Sequence, residues 1–271
     1  MTKKISRITT QKKSKSRYNI YLADGDQDVY AFSVDEAVLI EYGLRKGLEL
    51  DQSMIETLEK KDTIQKAYSL AINFLSYRMR TKKELHDYLV KKEVEPEHSS
   101  IILEKLTDEG YVNDKEFATA FVQTRINTST KGPLLVKKEL IEKGVTQLIA
   151  TEAITQYTYG IQYEKAEKWV DKKLRSSKKD SFRKQVQQLQ SNLIQKGFTQ
   201  DVVQDVTQSM QEEKNDDEEW DALVYQGEKL IRKFEKKHSG FAFRNKVKEG
   251  LFRKGFSMEN INKFVEEKIV E

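Results

Sequence analysis

The chain has 271 residues, of which 34% are charged and 37% hydrophobic, with a formal net charge of +4 and no cysteine. A disulfide framework and a thiolate zinc site are excluded, and so polar a composition suits an elongated array of small cores better than one large core. The sequence holds no run of about 18 apolar residues, and its basic start is not followed by an apolar segment, so neither a membrane span nor a secretory signal is expected and the protein is placed in the cytoplasm.

Lys3–Gln11 and Arg17–Leu22 alternate or favour β-branched and aromatic residues, and Asp24-Gly25-Asp26 turns the chain toward Val29–Ser33; this predicts a small sheet. A sheet of that size needs a covering layer, which Ala37, Val38, Leu39 and Tyr42, then Ile55 and Leu58, supply as one or two amphipathic helices. Residues 1–62 are therefore read as an N-terminal module of β-hairpin or sheet plus helix. Residues 1–17 also carry seven basic side chains and no acidic one. If this tail contacts phosphates, its removal weakens only the salt-sensitive part of binding.

From Thr63 onward the pattern needs only helices, three to a unit. In the first, Ile64–Tyr77 places Ala67, Leu70, Ala71, Phe74 and Leu75 on one face, Thr81 caps a helix to Lys92, and a third runs from Pro96 to about Asp108, closed by Gly110. Asp114 is expected to cap the next unit, whose first helix holds Phe117, Ala118, Phe121 and Val122. Gly132-Pro133 opens its middle helix, and Ile149 to Tyr157 forms most of its third. Two further units open on Ala166, Trp169, Val170 and Leu174, and on Trp220, Leu223, Leu230 and Ile231. The units are placed at 63–111, 112–159, 160–214 and 215–271, with acidic Glu212 to Asp221 as a solvated joint between the last two. The fold class is mainly α: an elongated tandem array of four three-helix repeats behind a small β-plus-helix module.

One phrase returns in each unit. It reads Leu89-Val90-Lys91-Lys92-Glu93-Val94, then LIEKGVT from Leu140, LIQKGFT from Leu193 and LFRKGFS from Leu251, with the leucines 51, 53 and 58 residues apart. Glycine after a lysine-bearing helix end supplies the left-handed residue that stops a helix, and the lysine suits the negative end of the dipole. Thr146, Thr199 and Ser257 can cap the next helix at once, while Val145, Phe198 and Phe256 can staple onto Ala150, Val203 and Ile261. The first unit departs from the phrase, with Glu93 in the glycine position.

Reactive groups are few. His86, His98 and His238 lie on different elements, and no HExxH spacing, phosphate loop, paired-glycine fingerprint or G-x-S-x-G turn is present. No enzyme activity, cofactor or metal is assigned. Basic residues concentrate instead: Arg78, Arg80, Lys82 and Lys83 bracket an interhelical turn, seven lie between Lys172 and Lys184, and Arg244, Lys246, Lys248, Arg253 and Lys254 form another group. With units stacked by one rotation, equivalent turns would line one side as a discontinuous basic strip for phosphates or an acidic protein surface. Aromatic residues such as Trp169, Phe121, Phe198 and Phe256 are assigned to the core. Tyr111 is kept apart, because it follows a glycine corner.

Gly110-Tyr111-Val112-Asn113-Asp114-Lys115-Glu116-Phe117-Ala118, with Phe121, Arg125, Gly132-Pro133 and Lys138-Glu139-Leu140-Ile141-Glu142-Lys143-Gly144-Val145, resembles the central signature of the RecX family, bacterial regulators of the RecA recombinase. Arg78-Met79-Arg80-Thr81-Lys82-Lys83-Glu84-Leu85 resembles that family's first motif, and the long N-terminal module and full fourth unit match its longer Gram-positive form. The resemblance implies a non-enzymatic protein that binds the RecA filament and restrains strand exchange, ATP hydrolysis and coprotease activity; the chain is expected to be a monomer. By motif position it nominates Arg78, Arg80, Lys82, Lys83, Tyr111, Arg125, Lys131, Lys137 and Lys138 as contacts to RecA or DNA. Two other readings stand beside it: a DNA-binding helical repeat protein that acts without RecA, and a helical enzyme on acidic substrates.

Overall fold

A computed structural model describes residues 2–12, 14–174, 179–212 and 216–269. It divides into two compact units, Met1–Phe117 with Lys143–Val145, and Ala118–Glu142 with Thr146–Glu271.

In the first unit, β1 (Lys3–Gln11), β2 (Ser14–Asp24), β3 (Gln27–Asp35) and β4 (Glu49–Leu50) form an antiparallel sheet in the order β3-β2-β1-β4. Ile20 stands opposite Ile8 on one side and Phe32 on the other. The two-residue alternation puts Ile5, Ile20, Leu22, Phe32 and Val34 into a core shared with Val38 of α1 (Glu36–Glu41) and Leu58 of α2 (Gln52–Leu75). The basic start is thus an inner strand and not a tail: its removal would delete buried Ile5 and both neighbours' pairing, which overturns the expectation of a purely salt-sensitive effect. Lys13 lies outside the described residues.

The boundary expected at residue 62 falls inside α2, which runs unbroken because nothing from Asp51, its N-cap, to Leu75 is a glycine or proline. Asp62 is buried at that point and ties helix to sheet. Its carboxylate takes Arg17 of β2 at 2.8 and 3.1 Å, the Asp35 amide at 2.8 Å and Lys66 at 2.9 Å. Burial alone would raise this carboxyl, but the hydrogen bonds from Arg17, Lys66 and Asp35 outweigh it and the carboxyl is lowered.

The C-terminal half of α2 packs Ala67 and Ala71 against Leu85 and Leu89 of α3 (Lys82–Lys91) and Ile102 and Leu106 of α4 (Pro96–Asp108). Thr81 caps α3 in a full capping box with Glu84, and Pro96 is the first residue of α4, both as expected. The cap of α5 (Asp114–Thr128) is corrected by one residue. Asn113 Oδ1 accepts the amides of Lys115 and Glu116, while Asp114 accepts the Lys82 amide at 2.9 Å.

The second unit continues α5 from Ala118 and adds α6 (Pro133–Glu142), α7 (Gln147–Ile154), α8 (Tyr159–Leu174), α9 (Phe182–Gln195), α10 (Gln200–Glu212), α11 (Asp216–Phe234), α12 (Gly240–Arg253) and α13 (Met258–Lys268). Ala166, Val170, Leu189, Leu193, Phe198 and Val203 build one core, and Leu223, Val247, Leu251, Phe256, Ile261 and Phe264 another. Trp169 is half-buried and packs against the first of these cores, with Lys196 5.2 Å over its ring, whereas Phe121 is corrected from core to half-buried, with Arg125 4.6 Å over its ring. Thr199 was expected to cap α10, but its hydroxyl bonds Gln162 at 3.0 Å; Thr146 and Ser257 do cap α7 and α13. Residues 213–215 of the expected acidic joint lie outside the described residues, and Asp216 to Glu219 open α11, where acids suit the helix dipole.

All four phrase leucines, Leu89, Leu140, Leu193 and Leu251, are fully buried. The corners after them share one backbone conformation: φ is +90° at Gly144, +82° at Gly197, +92° at Gly255 and +59° at Glu93, the one non-glycine residue of positive φ among the described residues. Amides beyond the corner return to the leucine carbonyl, from Val94 at 3.1 Å, Phe198 at 3.2 Å and Phe256 at 3.4 Å. The first corner thus keeps the shape despite its different side chain.

These corners also serve as joints. Thr81 Oγ1 donates to the Lys143 carbonyl at 2.6 Å, the Gly132 amide to the Lys196 carbonyl at 2.7 Å, and the Ser181 hydroxyl to the Lys254 carbonyl. A Cβ would come within 2.3 Å of Lys83 if built on Gly144, 2.6 Å of the Leu135 amide nitrogen on Gly197 and 2.8 Å of Ser181 on Gly255. The start of α3, α6 or α9 therefore presses on a corner that glycine alone leaves open.

Candidate partner-binding surface

The four basic residues of the α2–α3 turn do different work. Arg78 reaches both oxygens of Glu84 at 3.1 Å, and Lys143 reaches the same carboxylate at 2.9 Å. Arg80 is half-buried with its guanidinium 4.2 Å over Phe74, which stacks in turn on Tyr88 at 4.0 Å, and its Nε has no partner. Lys82 is exposed, and Lys83 packs its stem against Gly144. Tyr111 is exposed at the corner beyond α4.

Burial alone would raise the Glu84 carboxyl, but hydrogen bonds from Arg78 and Lys143 and the charges of both hold it at about 2, against an ordinary value of 4.5. A carboxyl depressed in the folded state contributes stability that is complete above its unfolded pKa and is lost as pH falls toward the folded value. Glu84→Gln, which can still reach the Thr81 amide, is expected to cost about 2 kcal/mol at pH 7. Urea unfolding at pH 7 and near pH 3 checks this: the gap between variant and wild type should shrink at the lower pH, and a constant gap would contradict the ion-pair account.

The second group repeats the arrangement. Glu139 of α6 takes Arg125 Nε at 2.8 Å and the Lys131 ammonium, and burial is again outweighed, so that its carboxyl is lowered. Lys137 is half-exposed, and exposed Lys138 stands 3.9 Å from Glu142. Of the nine nominated residues, Arg78, Arg125 and Lys131 are thus committed to acids of their own unit, while Lys82, Tyr111 and Lys138 face solvent. Of the basic residues between Lys172 and Lys184, Arg175 and Lys178 lie outside the described residues, and Lys184 pairs with Asp180 at 3.0 Å.

Another surface escaped the sequence reading. The residue directly after each buried phrase leucine is apolar and exposed: Val90 by 54%, Ile141 by 41%, Ile194 by 58% and Phe252 by 56%. One exposed apolar side chain is unremarkable, but its recurrence at the same position of every repeat is a pattern. The signal was present in the phrase, as V, I, I and F beside L, and needed only the burial of the leucine to set its neighbour outside. Tyr77, 85% exposed beside Arg78, entered the sequence analysis only as the end of a helix.

Among the described residues no group of histidine and acidic side chains could hold a metal ion, and no helix is long and apolar enough to cross a membrane. Fold and surface together define a three-helix repeat protein that exposes an apolar residue at one position of every repeat. The chain matches the regulatory protein RecX N-terminal domain over residues 3–51, the first RecX three-helix domain over 67–106, the second over 113–154 and the third twice, over 161–207 and 216–265. It is 53% identical over 268 residues to the regulatory protein RecX of Oceanobacillus iheyensis and 43% identical over 267 residues to that of Bacillus cytotoxicus, with 98% of every chain covered. A crystal structure of regulatory protein RecX shares 38% identity at a TM-score of 0.68, covering 76% of this chain and 99% of its own. That of RecX from Lactobacillus salivarius shares 36% at 0.54, covering 56% and 98%. The chain belongs to the RecX family of regulatory proteins.

Proposed function

We propose that this protein binds RecA and RecA–DNA filaments and chiefly inhibits recombinase, ATPase and coprotease activity in DNA repair and the SOS response, without being an enzyme itself. The observation that carries the reading is the recurrence of an exposed apolar residue at one position of all four repeats. A repeated apolar contact suits a polymer of identical protomers, whereas a binder of naked DNA needs a surplus of unpaired cations. Several of the nominated cations are balanced by Glu84 and Glu139 instead. Lys82, Tyr111 and Lys138 are left as contacts at the rim, where charge steers and orients a protein partner. The reading takes the chain as a cytoplasmic monomer organised in four three-helix units after an N-terminal module.

The test is cosedimentation with RecA filaments on single-stranded DNA. Lys82→Glu combined with Tyr111→Ala is expected to weaken binding about tenfold with an unchanged unfolding midpoint, because both side chains are exposed. Undiminished binding would remove this surface from the interface. Tight binding to naked DNA that falls steeply with salt would instead favour the nucleic-acid-binding reading.

A further inference from the structure

Glu84 serves the polar groups around it unevenly. Its two oxygens take Arg78 twice, the Lys143 ammonium and the Thr81 amide, which uses up the acceptor capacity of a carboxylate. Arg80, two residues from Arg78, is left out, and among the described residues no acid or carbonyl pairs with it. Rings hold it instead. Its guanidinium lies 4.2 Å over Phe74, Phe74 is stacked on Tyr88 at 4.0 Å, and the Lys92 ammonium, also without an acid partner among the described residues, stands 5.7 Å from the Tyr88 centre. The stack thus carries two positive charges and no negative one. Within it Nε is shut off from solvent without a bond, whereas the two terminal nitrogens reach solvent. Burial first and the Arg78 charge second push the pKa of this guanidinium down, against the pull of Glu84.

We propose that Arg80 is the anchor of the partner contact and takes one carboxylate of the protein partner end-on, an oxygen to each terminal nitrogen. A planar guanidinium offers this two-point fit and an ammonium does not. Stacking on Phe74 fixes its plane before the partner arrives, so little side-chain freedom remains to be lost on binding. A charge that its own fold leaves unmatched is matched when the partner closes over it, the setting in which an arginine dominates an interface. The surroundings favour a protein over nucleic acid. Exposed Tyr77 and Met79 precede Arg80 in the same turn and supply apolar area to keep water from the pair, while the neighbouring Arg78 is already neutralised by Glu84. Phosphates are gathered by rows of unpaired cations instead. That the partner is a filament protomer rests on the function proposed above; the unmatched guanidinium does not.

The test carries wild type, Arg80→Met and Arg80→Lys through RecA filament cosedimentation, urea unfolding and binding to naked single-stranded DNA at one salt concentration. Methionine has the length to keep the contact with Phe74 and no donor to strand. Arg80→Met is therefore expected to raise the half-saturating concentration on the filament about tenfold, with an unfolding midpoint at or above that of wild type. Arg80→Lys keeps the charge without the fork and should recover little of that affinity, and naked-DNA binding should be the same in all three. Wild-type filament affinity in Arg80→Met overturns the anchor and leaves the proposed function standing. Full recovery in Arg80→Lys overturns the two-point carboxylate contact, and a parallel loss of naked-DNA binding assigns Arg80 to phosphates and overturns the choice of partner. A lower unfolding midpoint in both variants makes the arginine a structural part of the stack and overturns the anchor as well. A wild type that ignores the filament overturns the proposed function and this contact together.

Discussion

Asp62→Ala is expected to cost about 3–5 kcal/mol, the range for removing one partner of a buried ion pair. The Asp62 side chain is 3% exposed and that of Arg17 16%, so the loss strands a guanidinium in a place poor in water and leaves the Asp35 amide without its acceptor. Because Asp62 sits on α2 and both other groups belong to β2 and β3, the damage should concentrate in the sheet. Urea unfolding gives the magnitude, and hydrogen exchange gives the place, with amides of residues 3–35 losing protection before those of α3 and α4. Asp62→Asn, which preserves an acceptor for the Asp35 amide, should cost less. A loss below about 1 kcal/mol would mean that water screens the pair as it does on a surface.

Gly197→Ala should cost about 3 kcal/mol, from two sources that can be separated. A side chain at φ +82° costs about 1–2 kcal/mol by itself. The new Cβ also meets backbone, 2.6 Å from the Leu135 nitrogen, which cannot swing away as a side chain can. Relief requires shifting α6 and weakening the bonds from Gly132 to Lys196 and from Leu134 to Gly197. Gly110→Ala supplies the control: φ there is +77°, yet nothing lies within 4 Å of the built Cβ. It should show the conformational cost alone. Equal losses at both positions, measured by the same denaturant titration, would show that the corners end helices without joining them.

The helix corners were legible in the sequence because a glycine after a lysine-bearing apolar run has one cheap use, and the leucine period placed four of them. Their second use was not legible. Each joint is completed by groups 62 to 73 residues away, Thr81 with Lys143 and Ser181 with Lys254 among them, and no local pattern announces such a partner. Glu93 read as a departure because the rule looks for a residue type, while the structure keeps the conformation and tolerates the side chain where nothing presses on it. The choice between Asn113 and Asp114 as cap could not be made locally, since both can cap; the Lys82 amide drew Asp114 away. Charge was harder. Arg78 and Arg125 look like free cations in the chain and are paired in the fold, whereas the exposed apolar residues were hidden by their adjacency to the leucines they flank.

Membership of the RecX family, the repeated corner with its exposed apolar neighbour, and cations largely matched to acids support the proposal that this protein grips another protein at several equivalent points. The measurement that bears on this most directly is RecA ATP hydrolysis on single-stranded DNA while this protein is titrated to amounts well below RecA. The account predicts inhibition at those low ratios, with little affinity for the naked DNA at the same salt. Inhibition that begins only when the protein saturates the DNA would contradict it.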